Sequence, residues 1–384
     1  MPPLQGVKVL DLGSVLMAPY AGQWLADLGA DVIKVEPPAG DSTRNTGPAA
    51  EANMASMFLG LNRSKRSIVL DLKTPAARAA LLRLAEDADI LLHNNRPQKM
   101  KALGLDAAAL LARNPRLVYA CLHGFTEAGP YGGKPAYDDV IQGLCGLADV
   151  MSRQAGAPRY APFLAADKTS GLIGVIAILA ALSKRDRTGA GGYVEVPMFE
   201  SMIAYTAADH WYARHIGGEA GYPRVLTPER RPYATADGYL CVTPYTDKHW
   251  ANLFTECGRS DLAGDPRFTD IGARTRHIAA LYGELAALLT QRTTAAWLTA
   301  FERLEIPAGP VNALGDLPND PHLAATGFFT TIAEDGAQPM LFPGVPVLFD
   351  GERPPIAAPP RLGEHTHEVL AEAGFSDAEI AALA

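Results

Sequence analysis

Within its first 36 residues the chain lays out strand, helix and strand with few connecting residues between them. Val7 to Leu12 is a short apolar run suited to a buried parallel strand, and Ala18 to Leu28 carries apolar residues at helical spacing. Gly29 then turns the chain into a second strand at Asp31 to Glu36. The strand signal returns at Ser67 to Leu72, Ile90 to His93 and Leu117 to Leu122, separated by helical stretches such as Ala76 to Glu86 and Ala107 to Arg113. Strands alternating with helices in this way predict a doubly wound α/β domain.

At 384 residues the chain exceeds what one hydrophobic core usually fills, so two domains are expected. A strongly apolar helix follows Asp167 as far as Leu182, then a turn over Thr188 to Gly192, the strand Tyr193 to Val196 and a helix from Met198 to Ala213. Residues Gly217 to Pro232 shift to Gly, Pro and Arg without apolar periodicity, which reads as a linker or lid. From Tyr233 to Asn312 a smaller α+β unit is expected, opening on the strand Gly238 to Thr243. Helices around His249 to Cys257, His277 to Gln291 and Thr294 to Leu304 continue it, and a short helix at Thr366 to Ala373 ends a proline-rich remainder. The longest apolar stretch, Gly171 to Leu182, falls short of the roughly 20 residues a bilayer span needs, so it reads as a buried helix and no membrane partner is expected.

Forty-two acidic against 34 basic residues give a net charge of −8, which argues against a nucleic-acid surface. An anionic ligand must then be held by local groups, and Arg44, Arg63, Lys65, Arg66 and Arg96 are candidates. Cys121, Cys145, Cys241 and Cys257 lie far apart, and MPPLQGVKVLDL has no basic segment leading into an apolar core, so a cytoplasmic location is expected. The first turn reads GSVLMAPYAG and lacks the three glycines that let a pyrophosphate approach the backbone, although Glu36 stands where a ribose-binding acid would. Neither HExxH nor GxSxG is present, and His365 and His367 read as a solvated helix start, so no metal is expected.

Asp167, in AADKTSG, precedes the long apolar helix and so reads as its N-cap. The same position suits a nucleophile, because free amides and the helix dipole favour the ionised carboxylate. The small residues Ala165, Ala166, Thr169, Ser170 and Gly171 leave room for a thioester to approach.

Several stretches carry a resemblance. ADLGADVIKVE (26 to 36), NRSKRSIVLDLK (62 to 73), NNRP (94 to 97), NPRLVYACLHGF (114 to 125), AADKTSG (165 to 171) and RDRTGAGGYVEVPMFESM (185 to 202) resemble those of the family III CoA-transferases. So do ATADGYLCV (234 to 242), DPRF (265 to 268) and LGEHTHEVL (362 to 370), in order from the first strand to the last helix. The resemblance implies a Rossmann-like large domain built from both chain ends plus a smaller α+β domain, in an interlocked-ring homodimer. Residues 1–215 would form the N-terminal part of the large domain, 216–232 the linker or lid, 233–315 the small domain, and 316–384 the return linker and the C-terminal part of the large domain.

In that family the aspartate matching Asp167 attacks an acyl-CoA to give a mixed anhydride, which the CoA thiolate converts to an aspartyl-CoA thioester. CoA or acyl-CoA is then a substrate exchanged with a carboxylic acid, and no tightly bound cofactor is implied. The resemblance places Val15, Leu16, Ala18, Arg96, Gly124 and Tyr137 at the CoA site, with Gly124 a candidate donor to developing oxyanions. Arg224, Arg230 and Arg231 cluster in the lid as candidates for capturing a substrate carboxylate, which points to a dicarboxylate.

Departures narrow the expectation. Pro37 stands where relatives often carry an arginine near the adenine, and Leu16 and TPERRPY (227 to 233) replace features of the formyl-CoA:oxalate enzymes. An α-methylacyl-CoA racemase is the alternative on the same fold, but Tyr137 occupies the place of its histidine and has too high an ordinary pKa for that exchange. A catalytically silent CoA-binding protein is the other alternative, disfavoured because Asp167 is retained.

Overall fold

The computed structural model describes residues 1–333 and 338–383. The chain divides into two compact units: Met1–Cys145, Pro162–Tyr205 and everything from Pro321 on form the first, and Gly146–Ala161 with Thr206–Asp320 form the second.

The first unit is built on β1 (Lys8–Asp11), α1 (Met17–Asp27), β2 (Asp31–Glu36), α2 (Ser56–Asn62), β3 (Arg66–Val69), α3 (Pro75–Glu86) and β4 (Ile90–His93). It continues through α4 (Pro97–Ala102), α5 (Ala107–Arg113), β5 (Val118–His123) and α6 (Asp138–Leu144). After α7 (Leu147–Ala155), which belongs to the second unit, come α8 (Ala165–Thr188), β6 (Gly192–Pro197) and α9 (Met198–His210), whose residues from Thr206 on belong to the second unit. All six strands pair in parallel, in the order β3-β2-β1-β4-β5-β6. Strand order therefore reverses between β1 and β4, and the crevice beyond their carboxyl ends is where open α/β sheets bind ligands.

Burial on both faces explains why the strands read as continuous apolar runs. Leu10, Ile33, Ile68, Leu91 and Tyr119 meet Leu81 of α3, Leu110 of α5 and the C-terminal Val369 and Leu370 in one core. Each such side chain contributes about 1.5–3 kcal/mol through burial.

The chain's end completes this sheet at its β3 edge. His365 donates its N–H to Ser67 O at 2.9 Å and accepts the Ser67 N–H on Nδ1 at 3.3 Å, while Thr366 Oγ1 accepts from Val69 N at 3.1 Å. His365 is thus a partner for an otherwise open edge: it does start the helix Thr366–Glu372, as its N-cap, but it is tied to the sheet rather than merely solvated.

The second unit holds an antiparallel sheet of Tyr233–Ala234, Tyr239–Val242 and Ala308–Pro310. Trp250, Phe254, Leu281, Leu285, Trp297 and Phe301 form its core. Trp297 stacks on Phe301 at 5.3 Å and donates its indole N–H to Leu289 O at 2.8 Å.

Helix α8 differs from its sequence reading at both ends. It runs 24 residues, and its length and apolar character alone would suffice for a membrane span. One face, including Gly171, Gly174, Val175, Ile178 and Leu182, is buried in the first unit. Its N-cap is Leu164, not Asp167.

Candidate functional site

Most of the early basic candidates serve the scaffold. Arg44 is wholly buried, bonds both oxygens of Glu36 at 2.7 Å, donates to Pro360 O at 3.2 Å and lies 3.6 Å over the Phe58 ring. Arg63 pairs with Asp27 at 2.8 Å, Lys65 with Asp11 at 2.8 Å, and Arg66 with Asp31 at 2.6 Å. Glu36 is likewise committed: burial pushes its carboxyl up, but Arg44 and Lys34 outweigh this and hold it below the usual range. Neither a phosphate nor a ribose has these groups to bind.

What the network does is shape the first turn. Lys34 donates to Gly13 O and to Asp41, both at 3.0 Å, and the Asp41 carboxylate accepts the N–H of Val15 at 3.2 and 3.3 Å. Val15 is held at φ +66°, a costly conformation for a β-branched residue, and is 38% exposed. Across the strand-order reversal, Ser14 donates its N–H to Asn94 Oδ1 at 2.9 Å and accepts from Asn94 Nδ2 at 2.7 Å.

Beside this turn lies a cavity of about 340 Å³ lined by Gly13, Ser14, Asp41, Lys73, Asn95 and Lys99 among others. Arg96, exposed at the start of α4, lines a broad neighbouring cleft with Lys99, Gly133 and Lys134. Of the residues expected at a CoA site, Val15 and Arg96 offer exposed side chains here. Leu16 and Ala18 are buried, so only their backbone can face a ligand.

Asp167 lies in the first turn of α8, which packs on α1. Helices α1 and α8 approach so closely that a Cβ on Gly171 would lie 2.9 Å from Met17 O, and glycine permits the crossing one turn beyond Asp167. On the other side, Gly124 makes room for Ala136, where an added Cβ would stand 2.5 Å from Ala136 Cβ. That close passage delivers Tyr137, 74% exposed, and Asp138 to the start of α6, which packs on α8.

Asp167 is the third residue of α8, and its own N–H is donated to Asp138 Oδ1 at 3.0 Å. Burial first, and then the Asp138 charge, push its carboxyl up to about 7. Burial and the Asp138 charge therefore oppose the ionisation expected of an N-cap, and it is Asp138 rather than Asp167 that accepts the first amides of the helix. Sequence reasoning passes over Asp138: it acts on a helix 29 residues away, and only its place in PAYDD marks it.

The arginines of the lid do not share one environment. Arg224, in the short helix Pro223–Leu226, is buried beneath Tyr245 at 5.1 Å, and its Nη1 meets no hydrogen-bond partner among the described residues. Arg230 and Arg231 are exposed on the following turn. All three belong to the second unit.

Comparison with known proteins agrees on one family. The CoA-transferase family III profile matches residues 4–366. A succinate–glutarate CoA-transferase of Agrobacterium fabrum is 35% identical, covering 97% of this chain and 96% of its own. A succinyl-CoA:mesaconate CoA-transferase of Haloarcula hispanica is 32% identical, covering 97% and 96%. The crystal structure of Rv3272 from Mycobacterium tuberculosis, a protein described as a probable fatty acyl-CoA transferase, superposes with a TM-score of 0.84 at 32% identity, covering 96% of this chain and 99% of that one. A match over nearly the whole chain, on a parallel six-stranded sheet of the same shape, leaves one conclusion: the chain belongs to CoA-transferase family III and is a CoA-transferase.

Proposed function

We propose that this enzyme moves CoA between small dicarboxylic acids and that Asp167 carries the CoA in transit. The Asp167 carboxylate attacks the thioester carbonyl of the donor, the C–S bond breaks, and CoA leaves as a thiolate from a mixed anhydride. The thiolate then attacks the Asp167 carbonyl, releasing the donor acid as a carboxylate and leaving an aspartyl-CoA thioester. The acceptor carboxylate runs the sequence in reverse. Partial burial favours this route, because an anhydride survives only where water is scarce.

CoA would lie over the strand ends, with its adenosine in the cavity beside Gly13 to Val15 and its phosphates near Arg96, Lys99 and Lys134. Pro37 lines that cavity, so adenine would meet a proline ring there. The dicarboxylate reading is supported by the substrates in two relatives' names and by Arg224, whose buried Nη1 lacks a partner among the described residues. A guanidinium in that condition suits a second carboxylate.

A homodimer is part of the same reading. Val140, Leu144, Leu172, Ile176 and Tyr205 are large apolar side chains exposed on three helices of the first unit, surface that a partner subunit would cover. We place the enzyme in the cytoplasm.

The observation carrying the mechanism is a single one: a half-buried carboxylate in the first turn of the helix that packs on α1, its proton affinity raised by burial and by Asp138 to about 7. Incubation with succinyl-CoA followed by hydroxylamine should inactivate the enzyme and leave a hydroxamate on Asp167, read by peptide mass spectrometry. An unmodified Asp167 together with an active Asp167→Asn variant would overturn the mechanism.

A further inference from the structure

We infer that Asp138 is a positioning residue that drives CoA onto Asp167: its buried carboxylate occupies the amides at the start of α8 and repels the Asp167 carboxylate until acylation removes that charge. The inference rests on Asp167 being the covalent carrier.

The geometry starts from a defective helix end. Leu164 at the N-cap of α8 has no side-chain acceptor, and the first amides of a helix need one. Asp138 supplies it from another helix, its Oδ1 accepting from Ala166 N at 2.7 Å and from Asp167 N at 3.0 Å. Its Oδ2 accepts from Gln142 Nε2 at 2.5 Å, and the residue is 3% exposed. Two carboxylates thus stand at one helix N-terminus, and the buried one holds the hydrogen bonds there. Burial first, and then the neighbouring Asp138 charge, raise the proton affinity of Asp167.

Among the described residues, no cation is paired with Asp167. Lys168, next along α8, lies with its ammonium 4.9 Å from the Phe163 ring centroid. At the crossing, α1 brings Tyr20 against Gly171. Under α8, His123 of β5 is paired with Glu195 of β6 at 2.9 Å, and Asp139 of α6 is exposed. Asp138 is the charge that bears on Asp167.

The consequence is chemical. When Asp167 becomes an anhydride and then a thioester, its negative charge departs on the CoA thiolate and finally on the released donor carboxylate. The repulsion exists in the free enzyme and vanishes in both covalent states, so Asp138 pushes the equilibrium toward acylation.

The test uses full-length Asp138→Asn and Asp138→Ser, which keep a polar side-chain oxygen at this position without the charge. With carboxyl-¹³C aspartate, the Asp167 resonance should titrate near 7 in the wild type and at least one pH unit lower in a folded variant. At pH 8 the ratio of CoA-bound to free enzyme, with acyl-CoA and the donor acid present, should fall about tenfold for each pH unit by which that midpoint drops. The acid limb of kcat/KM should move down with the titration. A midpoint unmoved in both folded variants, with the wild type still trapped on Asp167, would overturn the inference while leaving the carrier intact. A wild type that never forms the adduct would instead overturn the carrier, and the role of Asp138 in loading CoA with it.

Discussion

Asp167 keeps its proton to about 7 instead of the ordinary 3.8, and the folded state therefore binds a proton over that range that the unfolded chain releases. The stability this brings is complete below pH 3.8 and is lost as pH rises through 7, at up to about 1.4 kcal/mol for each pH unit between the two midpoints. Asp167→Asn, which never ionises, should accordingly melt above the wild type at pH 8, with the gap closing toward pH 4, as scanning calorimetry would read. The same variant should lose at least about 10³-fold in kcat, the scale on which nucleophile removal acts. Wild-type kcat/KM should climb with pH through 7 as the nucleophile ionises. Val15 behaves in the opposite sense, since it holds strain without charge. Val15→Gly should release roughly 1 kcal/mol of backbone strain, seen in chemical denaturation, while raising KM for CoA because the turn loses its fixed shape.

Arg44 joins three elements at once, β2 through Glu36, α2 through Phe58 and the C-terminal segment through Pro360. Arg44→Ala strands the Glu36 carboxylate in the interior and should cost about 3–5 kcal/mol, measured by urea unfolding. Elements of this kind show what a sequence reveals. The strands of the large sheet are legible because parallel strands are buried on both faces and read as unbroken apolar runs, as at Ile90 to His93. Short helices such as Pro97–Ala102 and Asp138–Leu144 escape notice, being too brief for a period to register. Sequence reading misplaces the start of α8 because its cap comes from Asp138 rather than from a local polar residue, and no local rule sees across 29 residues. For the same reason Asp167 is found by resemblance, but its raised proton affinity is not. Arg44 reads as a free cation in the sequence because its partner Glu36 and its cover Phe58 meet it only in the folded state.

For the molecule as a whole, substrate choice and assembly are open to direct measurement. A panel of CoA donors and acceptors should give the highest kcat/KM with four- and five-carbon dicarboxylates, and Arg224→Met should cost these about 10–100-fold while sparing monocarboxylates. Best turnover of long-chain acids would favour the kind of substrate named for Rv3272 instead. Light scattering at low concentration should give twice the 40.8 kDa chain mass. Finally, the hydrogen bond from Arg44 to Pro360 spans 316 residues, and the cover over β3 arrives only with His365 and Thr366. During synthesis the first sheet must therefore wait, with an open edge and a buried arginine site half built, until residues 360–366 have left the ribosome. Such a nascent chain is exposed to aggregation for most of its translation, so release fragments ending before Pro360 should collect in inclusion bodies and full-length yield should rise with slower, cooler expression.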